Sequence, residues 1–365
     1  MQHSAKTITL RSGRGIGPGN PCFVVAEIGN NHQGDPEVAA RMIDEAARAG
    51  ADAVKFQKRN TEALLTRAGR ETPYTGPNSF GPTYGEHRDA LELSAAQLAE
   101  LKVHAERQGL VFFASAWDEP SLDEMAALEP ELLKISSAEL VNLPLVRRMA
   151  RTRIPLIMST GMSSMADISC ALGEIRRVHD QVVLLHCNSR YPCPEEQIGL
   201  PVMQALAETF DLPVGYSGHE RGMGPSVAAA ALGACVVERH FTLDKGMRGT
   251  DHQVSLTPQE LTLVVRMIRE VEQAVGIQGK TVFPEELAAA KKLRKSIVFS
   301  RDLPAGHVLS EADLTTKCPG DGVSPVQWDE AVGRTLRTAV QHEQQLRWEL
   351  LEDACPAQAR TAAGS

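Results

Sequence analysis

The sequence predicts an α/β protein built on an eight-stranded β/α (TIM) barrel, followed by a small, mainly β module. Three observations carry that prediction. Eight short apolar or β-branched runs alternate with longer amphipathic segments, the polar residues of those runs gather at their C-terminal ends, and the alternation stops after about Val275. Parallel strands joined by helices give the first pattern. Loops converging on one barrel mouth give the second. A chain of 365 residues has room for a barrel of roughly 250 residues and one further module.

The expected strands, in order, are Phe23 to Glu27, Ala53 to Gln57, Leu110 to Ser115, Leu132 to Ser136, Ile154 to Ser159, Val182 to Cys187, Pro213 to Ser217 and Cys235 to His240. Between the first two, Ala39, Met42, Ile43, Ala46 and Ala47 share one face at helical spacing, and Gly50 supplies a stop. Ser94 and Gln97 form a capping box at the head of a later helix that ends near Gly109. The long insert between them, roughly residues 58 to 93, carries Thr72-Pro73-Tyr74, Gly76-Pro77-Asn78 and Gly81-Pro82. Its length points to a functional loop. The chain is accordingly divided into a barrel over 1–279, a polar, partly helical linker over 280–292, a small domain over 293–353 and a disordered tail over 354–365. A module of about 60 residues is marginal alone, so packing against the barrel or another subunit is expected to stabilise it.

Composition narrows the function class. With 42% hydrophobic and 23% charged residues the chain is an ordinary globular one. A formal net charge of -8 offers no footprint for nucleic acid or an anionic membrane. The seven cysteines are scattered without a CxxC pair, which suits a reducing compartment rather than a disulfide framework or structural zinc. No segment has the length of a signal peptide core or a membrane span, so a cytoplasmic location is expected.

Polar residues at the strand ends are Glu27, Lys55 and Gln57, Ser115, Lys134 with Ser136 and Ser137, Ser159, His186 to Ser189, Ser217 and His219, and Glu238 with His240. Any one serine here is explained equally well as a helix cap. A lysine inside Ala-Val-Lys55-Phe-Gln is costly unless it meets an anion, a carboxylate or solvent. Lys134 repeats that pattern two strands later. Two lysines and several hydroxyls around one cavity suit a small substrate bearing phosphate and carboxylate. His219 and His240 follow adjacent strands, so both imidazoles can reach one divalent ion and leave positions open for water and substrate. Glu238 either orients a ligand, binds the ion itself or pairs with an arginine.

Taken together, these segments resemble the sialic acid synthase family. The resemblance is carried by Ala26 to Gly34 (AEIGNNHQG), Val54 to Lys58 (VKFQK), Thr83 to His87 (TYGEH), Ser159 to Ser163 (STGMS), Gly215 to Glu220 (GYSGHE) and Glu238 to Asp244 (ERHFTLD). The module beginning near Leu293 resembles the family's antifreeze-like (SAF) domain. The resemblance implies condensation of phosphoenolpyruvate with N-acetylmannosamine or its 6-phosphate, giving N-acetylneuraminate or its 9-phosphate and phosphate. It implies a divalent metal, Mn2+ or Mg2+, on His219 and His240, and phosphoenolpyruvate on Lys55, Lys134, Ser137, Ser159, Ser189 and Ser217. Gln57, Lys58, Asn78, Tyr191 and Asp251 would contact the sugar, and Glu27, Glu139 and Glu238 are the candidate catalytic carboxylates. A domain-swapped homodimer, each small domain closing its partner's mouth, is also implied.

Three departures from the family pattern stand out. Lys58 and Arg59 add positive charge suited to a sugar 6-phosphate, Ser136-Ser137-Ala138-Glu139 replaces a Gly-Ser-Gly-Glu, with Ser189 in place of an asparagine, and Cys318 stands where an arginine reaches the partner's sugar site, beside Lys317. The alternatives are a synthase of legionaminic, pseudaminic or deaminated nonulosonic acid, a Schiff-base aldolase using Lys55 or Lys134, and a non-catalytic antifreeze-like binding protein.

Overall fold

The computed structural model describes residues 7–276 and 279–353. The chain divides into two compact units, Met1–Ile277 and Gln278–Ser365. In the first, a short antiparallel hairpin, β1 (Ile8–Thr9) and β2 (Gly15–Ile16), precedes eight parallel strands: β3 (Phe23–Gly29), β4 (Ala53–Lys58), β5 (Val111–Ala116), β6 (Leu133–Ile135), β7 (Leu156–Ser159), β8 (Val182–Cys187), β9 (Val214–Gly218) and β10 (Val236–His240). These eight close in chain order, with β10 pairing β3. All eight expected strands are present within a residue or two of their expected bounds.

Strand alternation sorts the barrel into two apolar layers. Phe23, Val25, Ala53, Phe113, Leu132, Ile157, Val183, Leu185 and Val236 point inward and join the hairpin residues Ile8, Leu10 and Ile16 in one cluster. The hairpin thus packs against the beginnings of the strands, away from the mouth. The other parity, including Val24, Ala26, Val54, Phe56, Phe112, Leu184 and Val237, faces the surrounding helices. In the helix Pro36–Arg48 the buried face is Val38, Ala39, Met42, Ile43 and Ala46. Gly50 follows in the left-handed region at φ 82°, which favours glycine over a residue with a Cβ. The capping box of Ser94 and Gln97 opens the helix Ala95–Arg107.

The insert after β4 is ordered by three short helices, Thr61–Leu64, Arg67–Glu71 and Tyr84–Asp89, the last opened by a capping box of Thr83 and Glu86. In the second unit, β11 (Ser296–Phe299) pairs antiparallel with β12 (Leu314–Lys317). Ile297, Phe299, Leu303, Leu309, Leu336, Val340, Leu346 and Leu351 form its core. The segment expected as a linker contains the helix Pro284–Leu293, which is held to this unit by Gly320 N–H donating to Lys291 C=O at 2.8 Å. The expected disordered tail lies outside the described residues.

Candidate active site at the barrel mouth

The same alternation decides which polar residues reach the mouth. On β4, Lys55 and Gln57 share the inward parity of Ala53, whereas Phe56 and Lys58 face the helices. On β10, Glu238 and His240 point inward and Arg239 outward; on β9 and its continuation, Ser217 and His219 point inward. An inner cavity of about 230 Å³ is lined by Glu27, Lys55, Gln57, Lys134, Ser137, Ser159, Ser189, Tyr191, Ser217, His219, Glu238 and His240, together with Ser115, Trp117, Ser136, Met162 and Cys187.

Its floor is a buried quartet of charges. Lys55 Nζ lies 2.8 Å from Glu27 Oε2 and 3.7 Å from Glu238 Oε1, and Lys134 Nζ lies 3.2 Å from the same Glu238 oxygen. Each of the four side chains is 6% exposed or less. Burial opposes the charge of Lys55, but Glu238 and Glu27 outweigh it and raise its pKa. Burial prevails at Lys134 and lowers its pKa. Burial likewise opposes the Glu238 carboxylate, yet the two ammonium groups hold its pKa well below the usual range. Ser136 Oγ, Ser159 Oγ and Glu238 Oε2 are buried with no hydrogen-bond partner. Buried polar atoms rarely stay unpaired, and a cluster of them facing one cavity fits a polar ligand. Gly161 completes the cradle: a Cβ there would lie 2.2 Å from Ser189 Oγ and 2.8 Å from Ser137 Oγ, so only glycine lets the two hydroxyls converge.

His219 Nδ1 donates to the Asn188 carbonyl at 2.6 Å, which leaves the Nε2 lone pair free to accept the Tyr191 hydroxyl at 2.6 Å. Burial and the neighbouring His240 push the His219 pKa down to about 3, so the imidazole is neutral at physiological pH. His240 stands 5.4 Å away, centroid to centroid, and its buried Nδ1 has no hydrogen-bond partner. A neutral imidazole with its tautomer fixed from behind, His219, and a second one, His240, whose buried Nδ1 makes no hydrogen bond, fit a divalent metal. Among the described residues no group of three or more His, Cys, Asp or Glu is arranged to hold a metal, so water and substrate would complete the coordination.

A second, outer cavity of about 500 Å³ shares Gln57, Trp117, Tyr191 and His240 with the inner one. Asn30, Asn31, Arg59, Tyr74, Phe80, Tyr84, His87, Arg88, Arg248 and Asp251 complete much of its wall. Arg59 is buried, pairs with Glu92 at 3.3 Å and lies 4.5 Å over the Trp117 ring. Arg88 donates to the Tyr84 hydroxyl at 2.9 Å, and Arg248 lies 4.5 Å over the Phe80 ring. Among the described residues no carboxylate pairs with Arg88 or Arg248. Burial first, then these three arginines together, lower the pKa of His87. The outer cavity therefore carries a surplus of fixed positive charge.

Three expected site residues lie elsewhere. Lys58 has the outward parity of β4, and its ammonium donates to Leu93 C=O at 3.2 Å and pairs with Glu124 at 3.5 Å. Glu139 faces a separate cavity with Asp118, Glu119 and Asn142, and its carboxylate accepts from Asn142 at 2.7 Å. Asn78 braces the rim instead of lining it, accepting from Gly249 N–H at 3.3 Å. The residues that sequence reasoning missed are Trp117, Arg88 and Arg248. Arg88 sits on the short helix Tyr84–Asp89 of the insert and Arg248 on a loop, where strand parity gives no signal; basic residues in the segments after the second and eighth strands were the available clue.

Comparison with known proteins agrees with this geometry. The model of the NeuB family matches residues 42–280, and that of the SAF domain matches residues 294–352. The N-acetylneuraminate-9-phosphate synthase of Homo sapiens is 40% identical over 348 residues, covering 95% of this chain and 97% of that protein. The N,N'-diacetyllegionaminic acid synthase of Campylobacter jejuni is 36% identical, covering 89% and 98%. The crystal structure of N-acetylneuraminic acid (sialic acid) synthetase from Leptospira borgpetersenii, in complex with citrate, superposes with a TM-score of 0.70 at 31% identity, covering 79% of this chain and 96% of that one. With a closed barrel whose mouth gathers the expected lysines, hydroxyls and imidazoles, and with matches running nearly end to end, the chain belongs to the NeuB family.

Proposed function

We propose that this protein is a sialic acid synthase that condenses phosphoenolpyruvate with N-acetylmannosamine 6-phosphate, giving N-acetylneuraminate 9-phosphate and inorganic phosphate. One observation carries the choice of acceptor: two cavities share a wall, and each has its own cations, Lys55 and Lys134 within and Arg59, Arg88 and Arg248 without. The inner pair suits the carboxylate and phosphate of phosphoenolpyruvate. The outer three suit a second phosphate, carried by the sugar. A nonulosonic acid built from an uncharged hexosamine leaves Arg88 and Arg248 uncompensated. Lys317 is ion-paired with Glu343 in its own unit and a cysteine at 318 supplies no cation, so the arginines of the barrel are the better match for the acceptor's charge.

In this reading C3 of phosphoenolpyruvate forms the new bond to the aldehyde carbon of the open-chain sugar. Water adds at C2, and the bond from C2 to the phosphate oxygen breaks. Lys55, Lys134 and the hydroxyls of Ser137, Ser159, Ser189 and Ser217 neutralise the anionic donor. Proton transfer is assigned in this reading to Glu27, hydrogen-bonded to Gln57 at 2.6 Å, and to Glu238; Glu139 faces the other cavity. His219 and His240 would hold the metal, whose chemistry is Lewis-acid polarisation of the aldehyde oxygen. Two imidazole donors favour Mn2+ over Mg2+. Lys55 is committed to two carboxylates and stays charged, which disfavours a Schiff base on it, and borohydride added with substrate is expected to trap no adduct.

The family resemblance extends the proposal to a cytoplasmic homodimer in which the second unit of one chain closes the mouth of the other. No helix among the described residues is long and apolar enough to cross a membrane. The test of the acceptor is a comparison of kcat/KM for N-acetylmannosamine and its 6-phosphate, with EDTA-treated protein before and after Mn2+. Preference for the 6-phosphate that returns with Mn2+ supports the reading. Preference for the free sugar overturns the acceptor assignment, and full activity in EDTA overturns the metal.

A further inference from the structure

Behind the two imidazoles, on the outer face of the barrel, lies a charge pair with no role in the chemistry above. Arg239 is 1% exposed and Glu220 is fully buried, and Arg239 Nη1 donates to Glu220 Oε1 at 2.7 Å. The other Glu220 carboxylate oxygen accepts the Tyr216 hydroxyl at 2.7 Å. The same guanidinium also donates to the backbone carbonyls of Glu220 at 2.6 Å and Gly222 at 2.9 Å, and to Ser226 Oγ at 2.8 Å.

The positions in the chain give this network its meaning. Glu220 directly follows His219, and Arg239 directly precedes His240. Arg239 faces outward because alternate residues of a strand point to opposite faces, and Glu220, just beyond the end of β9, turns to meet it and the Tyr216 hydroxyl. Arg239 is in register with Gly218 across the β9–β10 ladder. A Cβ on Gly218 would lie 2.6 Å from Glu220 Oε2 and 2.7 Å from Tyr216 Cε1, so glycine there leaves room for the carboxylate to fold back against the strand. An apolar pair would fill the same space at a lower desolvation cost, but it would not tie backbone carbonyls of one segment to a fixed fork on another.

We infer that Arg239, Glu220 and Tyr216 form a positioning device that fixes the spacing and orientation of His219 and His240 from behind the strands. Arg239 holds the segment after His219 to the residue before His240, which fixes the separation of the two rings. The inference rests on the proposal that these imidazoles bind a divalent metal. It treats Arg239 and Glu220 as groups that act through the imidazoles and touch neither substrate nor metal.

The test is Mn2+ binding to the full chain, read by the electron paramagnetic resonance of free Mn2+, for the wild type, Glu220→Gln, Tyr216→Phe and the control His219→Ala. Thermal unfolding confirms that each variant is folded. Partners standing behind metal ligands typically change metal affinity by about 10–100-fold when altered. Glu220→Gln is expected to weaken Mn2+ binding at least tenfold, and Tyr216→Phe, which removes one hydroxyl, by a smaller factor. KM for phosphoenolpyruvate is expected to stay within twofold while kcat falls. If Glu220→Gln and Tyr216→Phe fold and bind Mn2+ within twofold of wild type while His219→Ala does not bind it, the positioning role is wrong and the metal site stands. If His219→Ala binds Mn2+ as the wild type does, the metal reading itself fails. Should Glu220→Gln not fold, the Tyr216→Phe result decides.

Discussion

Replacing Arg248 with alanine separates the two anion sites. Its guanidinium lines the outer cavity, lies 4.5 Å over Phe80 and has no carboxylate partner among the described residues. A guanidinium and a phosphate about 4 Å apart attract by roughly 4 kcal/mol at an effective dielectric of about 20. Arg248 is exposed, so solvent and salt cut that to about 2 kcal/mol. That corresponds to a loss of about thirtyfold in kcat/KM for the phosphorylated acceptor. Stability should change by less than about 1 kcal/mol, because only the contact with Phe80 is lost. Steady-state release of inorganic phosphate, with either sugar and with phosphoenolpyruvate varied, provides the assay. The expected result is a loss confined to the 6-phosphate, with KM for phosphoenolpyruvate unchanged. An equal loss for both sugars would remove Arg248 from the acceptor's phosphate, since it would place this residue on the common part of the substrate.

Three further substitutions probe the rest of the site. Gly161→Ala puts a methyl group among the hydroxyls of Ser137 and Ser189, which are side-chain ends able to move, so the fold should survive while KM for phosphoenolpyruvate rises about tenfold or more; an unchanged KM would remove these serines from donor binding. Lys58→Met removes an outward-facing ammonium, so acceptor KM should stay within twofold, and a large rise would return Lys58 to the sugar site. His32 is buried with its Nδ1 accepting from Gly34 N–H, and burial lowers its pKa from 6.5 to about 4. Its depressed value means the unfolded chain binds the extra proton first, so stability is fully present above pH 6.5 and is lost as pH falls toward 4. Between pH 7.5 and 5 the loss from this group is about 2 kcal/mol, and urea unfolding should show that slope reduced in His32→Asn.

The sequence carried the barrel and most of its inner site because both depend on a period of two. Each strand ends in a polar residue at a position whose parity is fixed by its apolar neighbours, which is why Lys55, Lys134, Ser217, Glu238 and His240 could be placed without coordinates. Lys58 failed on that same rule: it lies three residues after Lys55, an odd step, and so points the other way. Glu139 and Asn78 follow their strands in loops, where no period applies and only the packed structure decides direction. The outer cavity was hidden for a related reason. Tyr74, Phe80, Tyr84, His87 and Arg88 come from the long insert after β4 and meet Arg248 from the far end of the barrel sequence, a convergence that closure of the ring creates. The N-terminal hairpin was missed because strands of two residues leave no readable alternation.

On this proposal one mouth holds two anions, the donor within and the acceptor's phosphate without. The most direct measurement is a crystal structure with phosphoenolpyruvate, Mn2+ and the reduced alcohol of N-acetylmannosamine 6-phosphate, which lacks the aldehyde and cannot react. One phosphate is expected beside Lys134 and the Ser137–Ser189 cradle, and the other in contact with Arg59, Arg88 and Arg248. A sugar phosphate that points into solvent, away from those three arginines, would contradict it.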